Sequence, residues 1–293
     1  MGESDAPRRS QGARANQVVH RRLLDGMGFE VIPLKNVHAQ ADHLPAGSTV
    51  SVTCSPTKTI NETLELCATL AEDGHTTIPH LAARMVESED HVAAIVTRLR
   101  DQGIRTVFVV GGDADQRGPF SDAAGFLRSF LERRPEVKTV GIGAYPDGHP
   151  TIPAGPLASA LAEKQSMIRD AGLDGYLATQ MCFDVTVIAE WLTAQRATGI
   201  TLPCHLGVPG AVDPARLLSI SLRLGVGVSA RYLKKNRGSV LRLLSPRRYD
   251  PNRLVAPLTA VADELGITGL HCFTFNAVEA TEAWRRKSLA RLG

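Results

Sequence analysis

The chain has 293 residues, 43% of them hydrophobic and 22% charged, with a formal net charge of +3. That length suits one large barrel or two ordinary domains, and the composition is that of a water-soluble protein with a sizeable core. The weak positive charge does not argue for nucleic acid as a partner, and no apolar run approaches the roughly 18 residues that span a membrane.

Residues 1–16 are polar, rich in Arg, Ser and Gly, and without periodicity, so they read as a disordered tail, with residues 17–293 forming the folded domain. The N-terminus lacks the apolar core of a secretory signal, and Ala6 stands where a myristoylation motif requires Ser or Thr, so a cytoplasmic location is expected. From residue 17 onward a short helix leads into a repeated unit of short apolar strand, turn and amphipathic helix. The pattern predicts strands at 28–32, 49–53, 76–79, 105–110, 138–144, 174–179, 202–208 and 267–273. It predicts helices at 59–73, 88–102, 121–134, 156–171, 184–198, 213–235, 252–265 and 276–291. Ser88, Asp184 and Asp213 open three of the helices as N-caps. Gly103, Gly172 and Gly266 stand just after helix ends, where a left-handed residue is favoured.

Eight strands alternating with helices, without a composition break, favour an α/β fold made of one closed (β/α)8 TIM barrel. A doubly wound open sheet is the alternative, because alternation alone does not show closure. The five cysteines are scattered and include no Cys-x-x-Cys pair, so they read as reduced and mostly buried, with no disulfide framework or metal site.

The most informative stretch is Ile104–Asp113. The apolar run Val107–Val110 fits a strand covered on both faces, and Gly111 and Gly112 allow a sharp bend or close approach to a ligand. Asp113 then falls past the carboxyl end of the strand, where barrels and open α/β sheets carry their chemistry. The other strand ends are equally distinctive: Phe29-Glu30, Pro79-His80-Leu81, Ala144-Tyr145-Pro146-Asp147-Gly148-His149-Pro150, Thr179-Gln180-Met181-Cys182-Phe183-Asp184 and Phe273-Thr274-Phe275-Asn276. In this order and spacing they resemble the methylenetetrahydrofolate reductase family, over roughly residues 28–290.

The resemblance implies a (β/α)8 barrel of one-carbon metabolism that reduces 5,10-methylenetetrahydrofolate to 5-methyltetrahydrofolate, the methyl donor for methionine biosynthesis. It makes Glu30 the catalytic carboxylate. The chemistry agrees: the substrate's five-membered ring must open to an iminium before hydride can add, and protonating the departing nitrogen promotes opening. It also implies that Asp113, Gln180 and Phe275 bind the folate. Asp113 would accept bonds from pterin N–H groups and stabilise the cation, and Gln180 would read the pterin edge through its paired donor and acceptor. His80, Gly111, Gly112, Tyr145 and His149 match positions around the redox cofactor.

The departures from the family pattern lie on the flavin side. Gly111 stands where typical members have arginine, and Cys54-Ser55 stands where they have Tyr-Gly. Ile168 stands where they have a diphosphate-facing lysine, with Lys164 and Arg169 as the nearest substitutes, and Ala277 replaces the arginine after Asn276. These losses resemble the flavin-independent subgroup, in which NADH or NADPH passes hydride directly to the folate and FAD is absent. The alternatives are an FAD-dependent ping-pong reductase and a non-catalytic folate-binding protein. A basic stretch, residues 231–237 with Arg247-Arg248, reads either as a solvated helix face or as a dock for an anionic tail.

Overall fold

The computed structural model describes residues 6–213 and 250–293, with side chains from residue 12. Eight parallel strands close in sequence order into a barrel. They are β1 Gly28–Val31, β2 Thr49–Val52, β3 Thr76–Ala82, β4 Thr106–Val110, β5 Thr139–Ala144, β6 Asp174–Thr179, β7 Cys204–Pro209 and β8 Ile267–Phe273. The helices among the described residues are α1 Ala6–Asp25, α2 Val37–Ala41, α3 Ile60–Glu72, α4 Glu89–Asp101, α5 Ala123–Glu132, α6 Ala154–Asp170, α7 Val185–Ala197, α8 Asn252–Leu258 and α9 Val278–Arg291. The closed barrel expected from the alternation is therefore present, and the open sheet is excluded by the pairing of β1 with β8.

The strands fold as the pattern requires because their two faces differ. Outward residues such as Phe29, Val50, Leu81, Val107, Val109, Val140, Ile142, Leu177 and Leu206 are buried and apolar and pack under the helices. Lumen-facing residues follow the opposite parity and form a separate set around Ile78, Phe108, Tyr176 and Ala178. Gly141 makes this packing workable: a Cβ there would stand 2.4 Å from both Phe108 Cδ2 and Tyr176 Cζ, so only glycine lets the two rings meet across the barrel.

Helix starts and stops follow local chemistry. Ser88 Oγ accepts from His91 N–H and Asp184 Oδ1 from Thr186 and Val187 N–H, as N-caps do. Thr59 and Glu62 form a reciprocal capping box at α3. Gly103, Gly172 and Gly266 are left-handed, with φ of 64°, 69° and 67°.

Three expectations change. Helix α1 begins at Ala6 and takes in residues 6–16, which the sequence pattern assigns to a disordered tail; Ala and Arg are good helix formers, and Pro7 sits in the first turn, where its missing N–H costs nothing. Helix α8 stops at Leu258 instead of 265, directly after Pro257, whose ring opposes the preceding helical turn. Helix α2 and a 3-10 turn at Ala83–Met85 are additional. The predicted helix 213–235 falls almost wholly outside the described residues, as do Arg231–Arg237 and Arg247-Arg248. All five cysteines are free, and four are buried. No helix among the described residues is long and apolar enough to cross a membrane.

Candidate active site

The carboxyl ends of the strands open into a pocket of about 410 Å³, inside the roughly 300–1,000 Å³ typical of small-molecule sites. The structure brings Glu30, His80, Gly112, Asp113, Tyr145, His149, Gln180 and Phe275 to its walls. Gly111 is not a wall residue. Its carbonyl accepts from Arg84 N–H at 3.0 Å, and a Cβ at Gly111 would meet open space. Gly112 is required where it is: φ is 87°, and a Cβ would stand 2.9 Å from that of Ala82.

Glu30 reaches into the lumen from β1 with only 9% of its surface exposed. Its Oε2 lies 2.9 Å from His271 Nε2 and 3.8 Å from His80 Nε2. The barrel's closure makes this contact, since β1 pairs with β8 in the register Gly28↔His271 and Glu30↔Phe273. The loop after β8 locks the same seam. Thr274 Oγ1 donates to the Glu30 carbonyl at 2.5 Å, and Asn276 holds Ile32 from both sides, accepting from its N–H at 2.8 Å and donating to its C=O at 2.9 Å. Phe275 and Asn276 adopt left-handed φ of 49° and 55°, an uncommon conformation held here by those bonds.

Burial pushes His80 down to about 4; Glu30 opposes the shift and His271 adds to it. The same cause pushes His205, on β7, down to about 4. Both imidazoles are therefore neutral near pH 7. Among the described residues His80 Nε2 has no hydrogen-bond partner, and its ring packs 4.7 Å from Phe108. Glu30, His80 and His271 bring three donor atoms within 4.8 Å of one another. The 2.9 Å spacing of Oε2 and Nε2 is that of a hydrogen bond with its proton between the atoms, so the cluster reads as a proton-sharing group. His80 is thus buried beside the acid while also lining the pocket.

At the mouth, Gln180 Oε1 accepts from Met181 N–H at 2.8 Å, which fixes the amide and, among the described residues, leaves its NH2 for a ligand. The Tyr145 hydroxyl is pushed up by burial and further by Asp113. His149 packs edge-on against Tyr145 at 5.1 Å, and its Nδ1 accepts from Thr151 and Ile152 N–H. Burial lowers the His149 pKa, with Asp113 opposing and Arg84 reinforcing.

Arg84 is a cation the sequence pattern did not single out. It stands close enough to His149 to act on it, and its Nε donates to Ser121 C=O at 3.0 Å. Ile168 is 1% exposed, and its Cγ2 lies 3.1 Å from where a Cβ on Gly175 would be, in the seam between α6 and the sheet. Lys164 is also buried on α6, with its amine pushed down to about 8. Neither lines the pocket, so neither argues for or against a diphosphate there.

The residues that sequence reasoning missed are His271, His205 and Tyr176. Each sits on the lumen parity of its strand, but that parity alone does not say which side chains meet across a closed barrel. Tyr176 and His205 stack at 4.4 Å below Phe108 and His271.

Comparison with known proteins adds two kinds of likeness. An uncharacterized protein from Clostridium thermocellum that binds two copies of 5-methyl-5,6,7,8-tetrahydrofolic acid superposes with a TM-score of 0.59 at 12% identity, covering 90% of this chain and 95% of that one. An oxaloacetate acetylhydrolase, in complex with the inhibitor 3,3-difluorooxalacetate, gives 0.51 at 12% identity, covering 95% and 86%. At such identities both show the barrel fold alone. A family model described as methylenetetrahydrofolate reductase matches residues 33–211. That span holds His80, Asp113, Tyr145, His149 and Gln180, while Glu30 and Phe275 fall outside it. With more than half of its length matched, the chain belongs to the methylenetetrahydrofolate reductase family.

Proposed function

We propose that the protein reduces 5,10-methylenetetrahydrofolate to 5-methyltetrahydrofolate using NADH or NADPH directly, without FAD. The observation that carries this reading is a buried carboxyl, Glu30, in the floor of a pocket whose rim presents Asp113 and the free amide NH2 of Gln180. Family membership and the folate bound by the Clostridium thermocellum protein support the substrate class.

In this reading Asp113 and Gln180 hold the pterin, one accepting from its N–H groups and the other donating to its edge. Glu30 gives its proton to the nitrogen leaving the methylene bridge. The C–N bond breaks, the electron pair goes to that nitrogen, and a methylene iminium remains. Asp113 stabilises its positive charge. The dihydronicotinamide, when bound, supplies the hydride that turns the methylene into a methyl group. Tyr145 and the backbone at Gly112 would seat it. The remaining support for direct transfer is the loss of the family's arginine at Gly111 and of Tyr-Gly at Cys54-Ser55.

The test is folate-dependent oxidation of NADH and of NADPH by the purified protein, with and without added FAD. Direct transfer needs both ligands bound together, so initial-rate plots should intersect. Parallel plots with a yellow preparation would mean a flavin and a ping-pong route. No oxidation of either nucleotide would reject the reductase reading.

A further inference from the structure

We propose that His271 is the positioning residue of the acid: its Nε2–H donates to Glu30 Oε2, turns Oε1 toward the substrate and stabilises the carboxylate left after proton transfer. The proposal rests on the reductase reading for its catalytic consequence, but its structural core is independent of it.

A carboxyl group on a short strand can rotate about its last bond and present either oxygen to a ligand. Here Oε2 is occupied by an imidazole at 2.9 Å, so the oxygen left for the substrate is Oε1. The imidazole is itself held. His271 is 4% exposed, its ring lies 5.8 Å from Phe108, and Phe273 meets it edge-on at 5.0 Å. The backbone of Glu30 is fixed from the same end of the barrel by Thr274, through the 2.5 Å bond to its carbonyl. Backbone and side chain of the acid are thus both tied to the β8 end, one by Thr274 and the other by His271.

Two tautomers fit a 2.9 Å contact. If Glu30 donated through Oε2–H, the acid proton would point away from the substrate. If Nε2–H donates, the proton of the acid can sit on Oε1, where it is useful. When that O–H bond breaks and an N–H bond forms on the substrate, the new carboxylate keeps a short, charge-assisted bond to Nε2–H. Without the donor, the carboxylate would be stranded in an apolar lumen and the transfer would be harder.

The surroundings make the pair readable. The titratable groups facing it are His80 from β3, His205 from β7 and Tyr176 from β6, with the Cys272 thiol outward on β8 and Asp113 and Tyr145 at the mouth. Burial holds His80 and His205 down to about 4 and pushes the Tyr176 hydroxyl and the Cys272 thiol up. These lumen groups therefore keep one charge state across the neutral range.

The experiment compares wild type, His271→Leu and His271→Gln in the full chain, with folding checked by thermal melting. His271→Leu should lower kcat about 10- to 100-fold, the usual range for losing a hydrogen bond to a charged group, with little change in KM. It should also move the high-pH limb of the kcat profile to higher pH, because the deprotonated acid has lost its donor. His271→Gln, whose amide N–H can replace Nε2–H, should restore both. A normal pH limb in the leucine variant, or a loss glutamine does not restore, would overturn the proposal.

A second readout needs neither activity nor a stable leucine variant. Nitrogen-15 NMR of histidine-labelled wild-type protein, with His271 assigned against His271→Gln, should show Nε2 protonated and Nδ1 bare. The opposite tautomer would overturn the proposal even in an active enzyme, whereas an inactive protein with the expected tautomer would reject only the reductase reading.

Discussion

Replacing Glu30 by Gln removes the transferable proton while keeping the shape of the side chain. Its position predicts how little else should change. The residue is 9% exposed, so a truncation would leave a hole, but the amide fills the same volume. The amide oxygen can take over the 2.9 Å contact with His271 by accepting from Nε2–H. The backbone carbonyl keeps its bond from Thr274. One hydrogen bond accepted from Nε2–H replaces another, a difference on the order of 1 kcal/mol at most, so the variant should melt within a few degrees of wild type. Turnover is another matter. A positioned general acid contributes about 10²–10⁴-fold, equivalent to about 3–5 kcal/mol of barrier, and glutamine cannot supply the proton. Steady-state assays with methylenetetrahydrofolate and reduced nicotinamide should show kcat falling by that factor, while equilibrium titration gives folate affinity within a few-fold of wild type. Near-normal turnover would refute Glu30 as the acid, and unchanged turnover with lost folate affinity would make it a binding residue instead.

Gln180→Ala should raise the KM for folate by removing the NH2 donor and orphaning Met181 N–H; titration of folate measures it, and an unchanged constant would remove Gln180 from the site. Asn276→Ala should cost about 1–3 kcal/mol, because Ile32 N–H loses its acceptor, while the Ile32 carbonyl keeps its bond from Leu34 N–H, and the left-handed φ suits alanine poorly; denaturant unfolding reads it, and an unchanged stability would mean the seam is held elsewhere. Lys164, with its amine pushed down to about 8 from an ordinary 10.5, binds its proton more weakly folded than unfolded, so stability should rise with pH between those values. Lys164→Met should flatten that rise and stabilise the protein at pH 7 by up to about 3 kcal/mol; parallel stability–pH curves for the two proteins would show that the amine finds water. Lys234 and Lys235, changed together to Ala, should raise the KM of an anionic ligand at low salt and lose that effect at high salt; identical kinetics with mono- and polyglutamylated folate would return them to a solvated face.

The barrel was legible because its period was clean. Each strand from 28 to 273 is short and apolar on its outward parity, and several are followed by helices with clear end signals, so the eight units could be counted from residues such as Ser88, Asp184 and Gly103. The mouth residues were legible for a related reason, since a residue just past a strand's end has only one place to go. Lumen contacts were harder. Glu30 and His271 are 241 positions apart, and only the β1–β8 pairing makes them neighbours; nothing local in Leu270-His271-Cys272 marks that histidine as facing an acid. Ile168 reads in the sequence only as an apolar residue where the family has a diphosphate-facing lysine; that the helix's rotation turns it onto Gly175 and into the core is visible only in the fold.

The seam between β1 and β8 also orders events in time. Its bonds, Thr274 to Glu30, Asn276 to Ile32 and His271 to Glu30, join residues 241–244 positions apart. Closing so long a loop carries a large chain-entropy cost that must be met before the contacts repay it. A ribosome that has released β1 through β7 has made most of the sheet, but the carboxyl on which the chemistry turns still lacks its imidazole and its backbone anchor. Catalytic competence is therefore acquired only when the last strand zips onto the first. A chain cut short before Ile267 would lack β8 and His271, keep much of its helical signal and have no working acid, so regained turnover reports a completed barrel more strictly than regained helicity does.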